Sequence, residues 1–168
     1  GVQFRNLATV GGSVFGRFGF SDVLTLLLVM DSYVELYKGG IVPLADFVNM
    51  PYDRDILVRV IVKKTAAHYS YKSVRISKTD FPVLTCAAAL TQQGVKAAVG
   101  ARPAKAALVK DAEQLATLPM TAEKAQAFAE YAAGLLPTET NPRGSAAYRT
   151  HLIKVLTVRC LTELGGKA

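Results

Sequence analysis

The chain has 168 residues, 51% of them hydrophobic and 20% charged, and a formal net charge of +7. That composition belongs to a folded domain, not to a disordered tail, and a chain of this length buries roughly 70% of the surface its unfolded form exposes, so it needs no disulfide to fold. Its longest apolar run, Val23 to Met30, falls far short of the roughly 20 residues that a membrane-spanning helix requires.

The sequence opens without Met on Gly1-Val2-Gln3-Phe4 and carries no secretory signal, so the expectation is that an upstream piece precedes it. Thr9-Val10-Gly11-Gly12-Ser13 is a glycine-rich segment, followed by the glycine and aromatic run Phe15-Gly16-Arg17-Phe18-Gly19-Phe20. Ser21 and Asp22 stand before the apolar stretch to Met30, which reads as an N-capped, buried helix. Tyr33 to Lys38 is strand-like, Gly39-Gly40 turns it, Ile41-Val42-Pro43 pairs back, and Leu44 to Asn49 makes a short helical turn. Asp55 to Lys64 is the next strand, too β-branched and apolar in its middle to be expected at an open edge.

His68 to Arg75 predicts another strand, after which the composition shifts towards alanine, and a module boundary is placed near residue 67. The expected units are residues 1–67 and 68–168. Val83 to Thr91 and Val95 to Val99, turned at Gln92-Gln93-Gly94, predict a hairpin whose small side chains admit a layer of helices on one face. Thr121 to Leu136 and Ser145 to Leu164 carry apolar residues at helical spacing. The fold class is therefore α+β.

The positive charge is concentrated. Nine cations between Lys63 and Lys110 face one anion, Asp80, leaving a net −1 on all other residues. Such a segment suits an anionic ligand or an acidic partner, and a solvated lysine-rich sheet face is an equal reading. No nucleic-acid recognition module accompanies it. Cys86 and Cys160, the only cysteines, sit among apolar neighbours and read as reduced core thiols of a cytosolic protein. His68 and His151 have no metal-ligand spacing, and neither a catalytic triad nor a carboxylate pair can be assembled. An enzyme of this kind leaves the hard chemistry to a cofactor.

The paired glycines fit neither the dinucleotide fingerprint nor the Walker loop, and on their own they are better explained by a tight turn without any ligand. Asp22 constrains the reading further. A carboxylate in the first turn of a helix already answers the helix's partial positive charge and repels a phosphate there, so it is suited to accept a ribose or ribityl hydroxyl, with any diphosphate left to backbone amides elsewhere. A plain capping aspartate is the other reading.

The order of motifs carries more than any one of them. Thr9-Val-Gly-Gly-Ser13, Ser21-Asp22, Val42-Pro43-Leu44 with Phe47, Ile56-Leu57, Tyr71-Lys72 with Arg75, Asp80-Phe81 and Arg143-Gly-Ser-Ala-Ala-Tyr-Arg149 together resemble the FAD-binding subunit of the molybdenum hydroxylases, the family of xanthine dehydrogenase and carbon monoxide dehydrogenase. The resemblance implies the second FAD-binding subdomain of a vanillyl-alcohol-oxidase-type flavoprotein, followed by a C-terminal domain of antiparallel sheet plus helices. It implies an oxidoreductase, cytoplasmic and hetero-oligomeric, in which electrons from a molybdopterin subunit pass through iron–sulfur clusters to FAD and on to NAD or another acceptor.

Residue by residue, the resemblance carries FAD contacts to Thr9, Gly11, Gly12, Ser13, Asp22, Leu57 and Lys72. Ser13 stands where family members often have Asn, which shortens the side chain. The family's N-terminal subdomain, with its own pyrophosphate loop, has no counterpart in these residues, so the expectation is half a cofactor cleft, a mobile glycine loop and weak FAD binding by this stretch alone. The rival reading is a non-enzymatic basic module that docks an acidic protein or polyanion.

Overall fold

The computed structural model describes residues 2–92 and 94–166. Two short helices, α1 (Val2–Leu7) and α2 (Val10–Phe15), lead into α3 (Asp22–Val29). An antiparallel sheet follows, β1 (Ser32–Leu36), β2 (Gly40–Pro43) and β3 (Leu57–Val62), ordered β2-β1-β3, with the helical turn α4 (Leu44–Phe47) between β2 and β3. A second antiparallel sheet takes β4 (His68–Arg75), β5 (Pro82–Thr91), β6 (Gly94–Gly100) and β7 (Ala107–Lys110) in chain order, and α5 (Ala122–Leu135) and α6 (Ala146–Gly165) complete the α+β fold. Of the predicted turn at Gln92-Gln93-Gly94, Gln93 lies outside the described residues.

Local chemistry starts the helices where the sequence places them. The Ser21 hydroxyl accepts from the Leu24 amide at 3.1 Å, and the side chains of Thr121 and Ser145 cap α5 and α6 in the same way. Each such cap satisfies an amide the helix itself leaves unpaired.

The organising layer is β5, which is buried on both faces from Pro82 to Leu90. Strand alternation divides it. Leu84, Cys86, Ala88 and Leu90 face Phe128 of α5 and Ile153, Leu156 and Leu161 of α6. Ala87 and Ala89, with Ala98 of β6, belong to a second core with Leu24 and Leu28 of α3, and the Thr85 hydroxyl meets that of Thr25 at 2.9 Å. Helices therefore cover both faces of the hairpin, where the sequence led us to expect one.

Small residues make this possible. A Cβ on Gly100 would stand 2.5 Å from Thr25 Oγ1, so only glycine lets α3 approach there. Because α3 packs against the alanine face on one side and Val34, Leu36 and Phe47 on the other, its apolar run continues around the helix instead of forming one stripe. Cys86 and Cys160 are free thiols buried between β5 and α6.

One expectation is corrected. β3 pairs only with β1 among the described strands, so this apolar strand lies at a sheet edge, with Ile56, Val58 and Val62 exposed. Four of the nine cations of the basic middle segment are engaged within the fold. Lys72 and Arg75 hold carboxylates, Arg102 donates to the carbonyls of Pro137 and Lys105, and Lys105 donates to that of Val48. Backbone carbonyls of irregular segments need donors, and these cations supply them.

Arg149 is the plainest case of this device. It is 1% exposed and donates to the carbonyls of Val83, Glu139 and Gly144 and to Asn141 Oδ1, tying the 139–144 loop to β5. Arg149→Met is expected to leave these acceptors unpaired and to cost about 3 kcal/mol or more. Ala87→Leu is expected to cost about 1–3 kcal/mol by forcing α3 off the sheet. Urea unfolding checks both as a lowered midpoint at unchanged slope.

Candidate functional site

The first turns of α2 and α3 and the β4–β5 connection border an open cleft of about 850 Å3, a size in the usual range for small-molecule sites. Its wall brings together Thr9, Gly12, Ser13 and Asp22, with Arg5 and Arg75 among the charged residues and Phe18, Phe20 and Phe81 among the apolar ones. Gly11, Leu57 and Lys72 do not line it.

The glycine segment, expected as a loop, is the first part of α2. Thr9 has extended backbone (φ −109°, ψ 151°), and its hydroxyl accepts from the Gly12 amide at 3.0 Å. The Ser13 amide closes the turn on the Thr9 carbonyl at 3.0 Å. Glycine at position 12 serves this cap, because a Cβ there would come to 3.0 Å from Thr9 Oγ1. Gly11 looks towards Leu57, whose Cδ2 lies 3.8 Å from where a Cβ would stand. The Ser13 and Ser21 hydroxyls meet at 2.7 Å and tie α2 to the start of α3.

Asp22 is not the cap of α3, since Ser21 fills that role. Its carboxylate faces β4. Arg75 Nη2 donates to both Asp22 oxygens at 2.6 Å, and the Tyr71 hydroxyl donates to Oδ1 at 2.6 Å. Burial, then the bond to Asp22, pushes the Tyr71 phenol well above its ordinary range, so it remains a protonated donor. A carboxylate offers about four acceptor sites, and Asp22, with its side chain 45% exposed, keeps room at Oδ2 for one further donor.

Arg75 also donates through Nη1 to the Asp80 carbonyl at 2.7 Å, and Arg143 donates to Asp80 Oδ1 at 3.0 Å. The Arg143 hydrogen bond, then that of the Phe81 amide, holds the Asp80 carboxyl below the usual carboxylate range. Asp22 and Asp80 are thus each answered by an arginine, and the cleft wall is not the negative surface that an isolated Asp22 would suggest.

Lys72 lies elsewhere. Adjacent strand residues point to opposite faces, so Lys72 turns away from Tyr71 towards α6, where its Nζ is 2.5 Å from Glu163 Oε2 and Ser70 donates to the same oxygen at 2.9 Å. The hydrogen bond from Lys72 to Glu163 raises the Lys72 pKa. The parity of β4 would have separated Lys72 from Tyr71 in the sequence itself. It would also have drawn attention to Tyr71, which the motif reading quoted without giving it a role. No equivalent signal names Arg75 as the partner of Asp22, a contact across 53 residues.

Comparison with known proteins adds to this geometry. Residues 69–164 match the model of the CO dehydrogenase flavoprotein C-terminal domain, and residues 1–65 that of the FAD binding domain in molybdopterin dehydrogenase. YgfM of Escherichia coli K12, described as an uncharacterized protein, is 29% identical over 153 residues, which is 90% of this chain and 56% of that protein.

Among solved structures, carbon monoxide dehydrogenase from Hydrogenophaga pseudoflava, in a form lacking the Mo-pyranopterin moiety, superposes with a TM-score of 0.85 at 20% identity, over 99% of this chain and 63% of that one. Quinoline 2-oxidoreductase from Pseudomonas putida 86 does so with a TM-score of 0.79 at 22% identity, over the same shares. The chain thus spans between half and two thirds of the relatives it matches, and at these identities the structural likeness establishes the fold. The family models, which together cover nearly all of the sequence, establish more: the chain belongs to the FAD-binding flavoprotein subunits of the molybdenum hydroxylase family.

Proposed function

We propose that this chain forms one wall of an FAD site in a molybdenum-hydroxylase-type oxidoreductase. The observation that carries this reading is the convergence of Thr9, Gly12, Ser13 and Asp22 on one cleft with exposed rings and a carboxylate oxygen that can accept one further donor. These residues fit a flavin dinucleotide. The cleft has the volume for part of it, Asp22 Oδ2 can accept a sugar or ribityl hydroxyl, and Arg5 and Arg75 lie on the same wall. When bound, FAD would relay electrons between iron–sulfur clusters of a partner subunit and an acceptor.

The chain's own residues position and screen. Arg75 and Tyr71 hold the Asp22 carboxylate in one orientation, so no rotamer freedom is lost when a hydroxyl arrives. Thr9 caps α2 and Ser13 ties it to the start of α3, and together they set the shape of the wall. Gly11 and Leu57 act behind that wall as packing, and Lys72, on the opposite face of the sheet, is left out of the proposed contacts.

Within the same proposal, the partner subunits carry molybdopterin and the iron–sulfur clusters, and the whole enzyme has an activity of the xanthine dehydrogenase kind, with NAD or another acceptor taking the electrons. A basic docking module is the poorer reading, because four of the nine cations it would need are engaged within the fold.

Titration of FAD into the natural polypeptide that contains these residues tests the proposal. Binding is expected, and Asp22→Asn is expected to raise Kd about 5- to 150-fold, the value of about 1–3 kcal/mol for a hydrogen bond to a charged group. Absence of FAD binding, or an Asp22→Asn protein that binds as the native one does, would overturn it.

A further inference from the structure

Three phenylalanines form a ladder along the same cleft. Phe18 and Phe20 stack almost parallel, 5.2 Å between centroids and 4° between planes, and Phe20 meets Phe81 at 4.4 Å and 46°. Phe18 is 51% exposed and Phe20 40%. Exposed single rings are ordinary, but two stacked rings facing a ligand-sized cleft are a prepared surface.

The backbone holds them there. Arg17, between the α2 end and Phe18, has φ 48°, a conformation uncommon for a residue other than glycine. Its guanidinium points away from the cleft, is buried against the Phe47 and Tyr52 rings at 4.3 and 4.2 Å, and donates to the Phe47 and Met50 carbonyls at 3.2 and 2.6 Å. Gly19 is pressed against the neighbouring segment. A Cβ there would lie 2.4 Å from the Pro103 carbonyl oxygen, and the Gly19 carbonyl accepts from the Ala101 amide at 2.6 Å. The turn is thus anchored inward at 17 and 19, which leaves 18 and 20 on the cleft side. Strain at such a position, retained by a surrounding structure that fixes it, is a pointer to function.

Ser21 and Asp22 follow Phe20 directly, so the ladder adjoins a carboxylate oxygen with room for a hydroxyl. A ring joined to a polyol matches this pairing: the ring lies against phenyl faces and the hydroxyl reaches Asp22. We propose that Phe18 and Phe20 are the stacking subsite for a planar heteroaromatic ring of a nucleotide, and so determine which nucleotide this wall accepts. The inference rests on the FAD reading above, and FAD offers two such rings, flavin and adenine.

The test is titration of FAD, FMN and ADP into the natural polypeptide, in native form, as Phe18→Leu with Phe20→Leu, and as Phe18→Tyr with Phe20→Tyr. The leucine pair keeps apolar bulk but removes the planar faces, and is expected to raise Kd for FAD about 10-fold or more. FMN weakening in parallel assigns the subsite to the flavin ring, and ADP weakening in parallel assigns it to adenine. The tyrosine pair, which keeps the faces, is expected to bind within about 2-fold of native.

Failure of the native protein to bind FAD would overturn the parent reading. Native binding with an equally tight leucine pair would overturn the stacking subsite alone, as would a tyrosine pair that loses as much as the leucine pair.

Discussion

The close approach of α3 to the alanine face of β5 and β6 is the constraint on which the rest depends. It requires Ala87, Ala89 and Ala98 on that face and glycine at position 100, where a side chain would collide with Thr25 and Thr85. With α3 fixed between two sheets, its first turn can stand in only one place, beside the end of β4. Ser21 and Asp22 are carried there by packing that lies wholly outside the cleft. Core volume, in this protein, sets the geometry of the surface chemistry.

The electrostatics at that point serve orientation more than stability. The Asp22–Arg75 pair, with side chains 45% and 24% exposed, contributes at most about 1 kcal/mol to folding. Its effect is directional: one guanidinium nitrogen spans both carboxylate oxygens while Tyr71 fixes one of them. Arg75 then reaches the Asp80 carbonyl, and Arg143 reaches the Asp80 carboxylate. The start of α3, the end of β4 and the β4–β5 turn are thereby linked in one polar network bordering the cleft. Arg17 performs the corresponding task for the aromatic turn, from the buried side.

Much of this was legible in the sequence, and the exceptions share a cause. Helix caps at Ser21, Thr121 and Ser145 are local chemistry, and each appears where the residue type predicts it. The α+β class and the β5–β6 hairpin follow from alternation and turn residues. The edge position of β3 did not follow, because strand composition reports apolar character and not the number of neighbours. The covering of both hairpin faces was hidden because alanine suits a close helix on either side.

In the site, the four expected residues that line the cleft come from one stretch of 14 positions, Thr9 to Asp22. The resemblance assigns Lys72 a cofactor contact, and strand alternation places it on the face of β4 opposite Tyr71, beside Glu163. Glycines at 11 and 12 suggested a loop, yet a threonine hydroxyl two positions earlier was enough to start a helix through them. Arg75 and the phenylalanine ladder depend on tertiary contacts that no spacing rule announces.

The central claim is that the wall formed by Thr9, Gly12, Ser13 and Asp22 was shaped around a flavin dinucleotide. A crystal structure of the natural polypeptide soaked with FAD tests it most directly. The account predicts cofactor density along this wall, with a hydroxyl within hydrogen-bonding distance of Asp22. Density for FAD at a site remote from Asp22 and the start of α2 would contradict it.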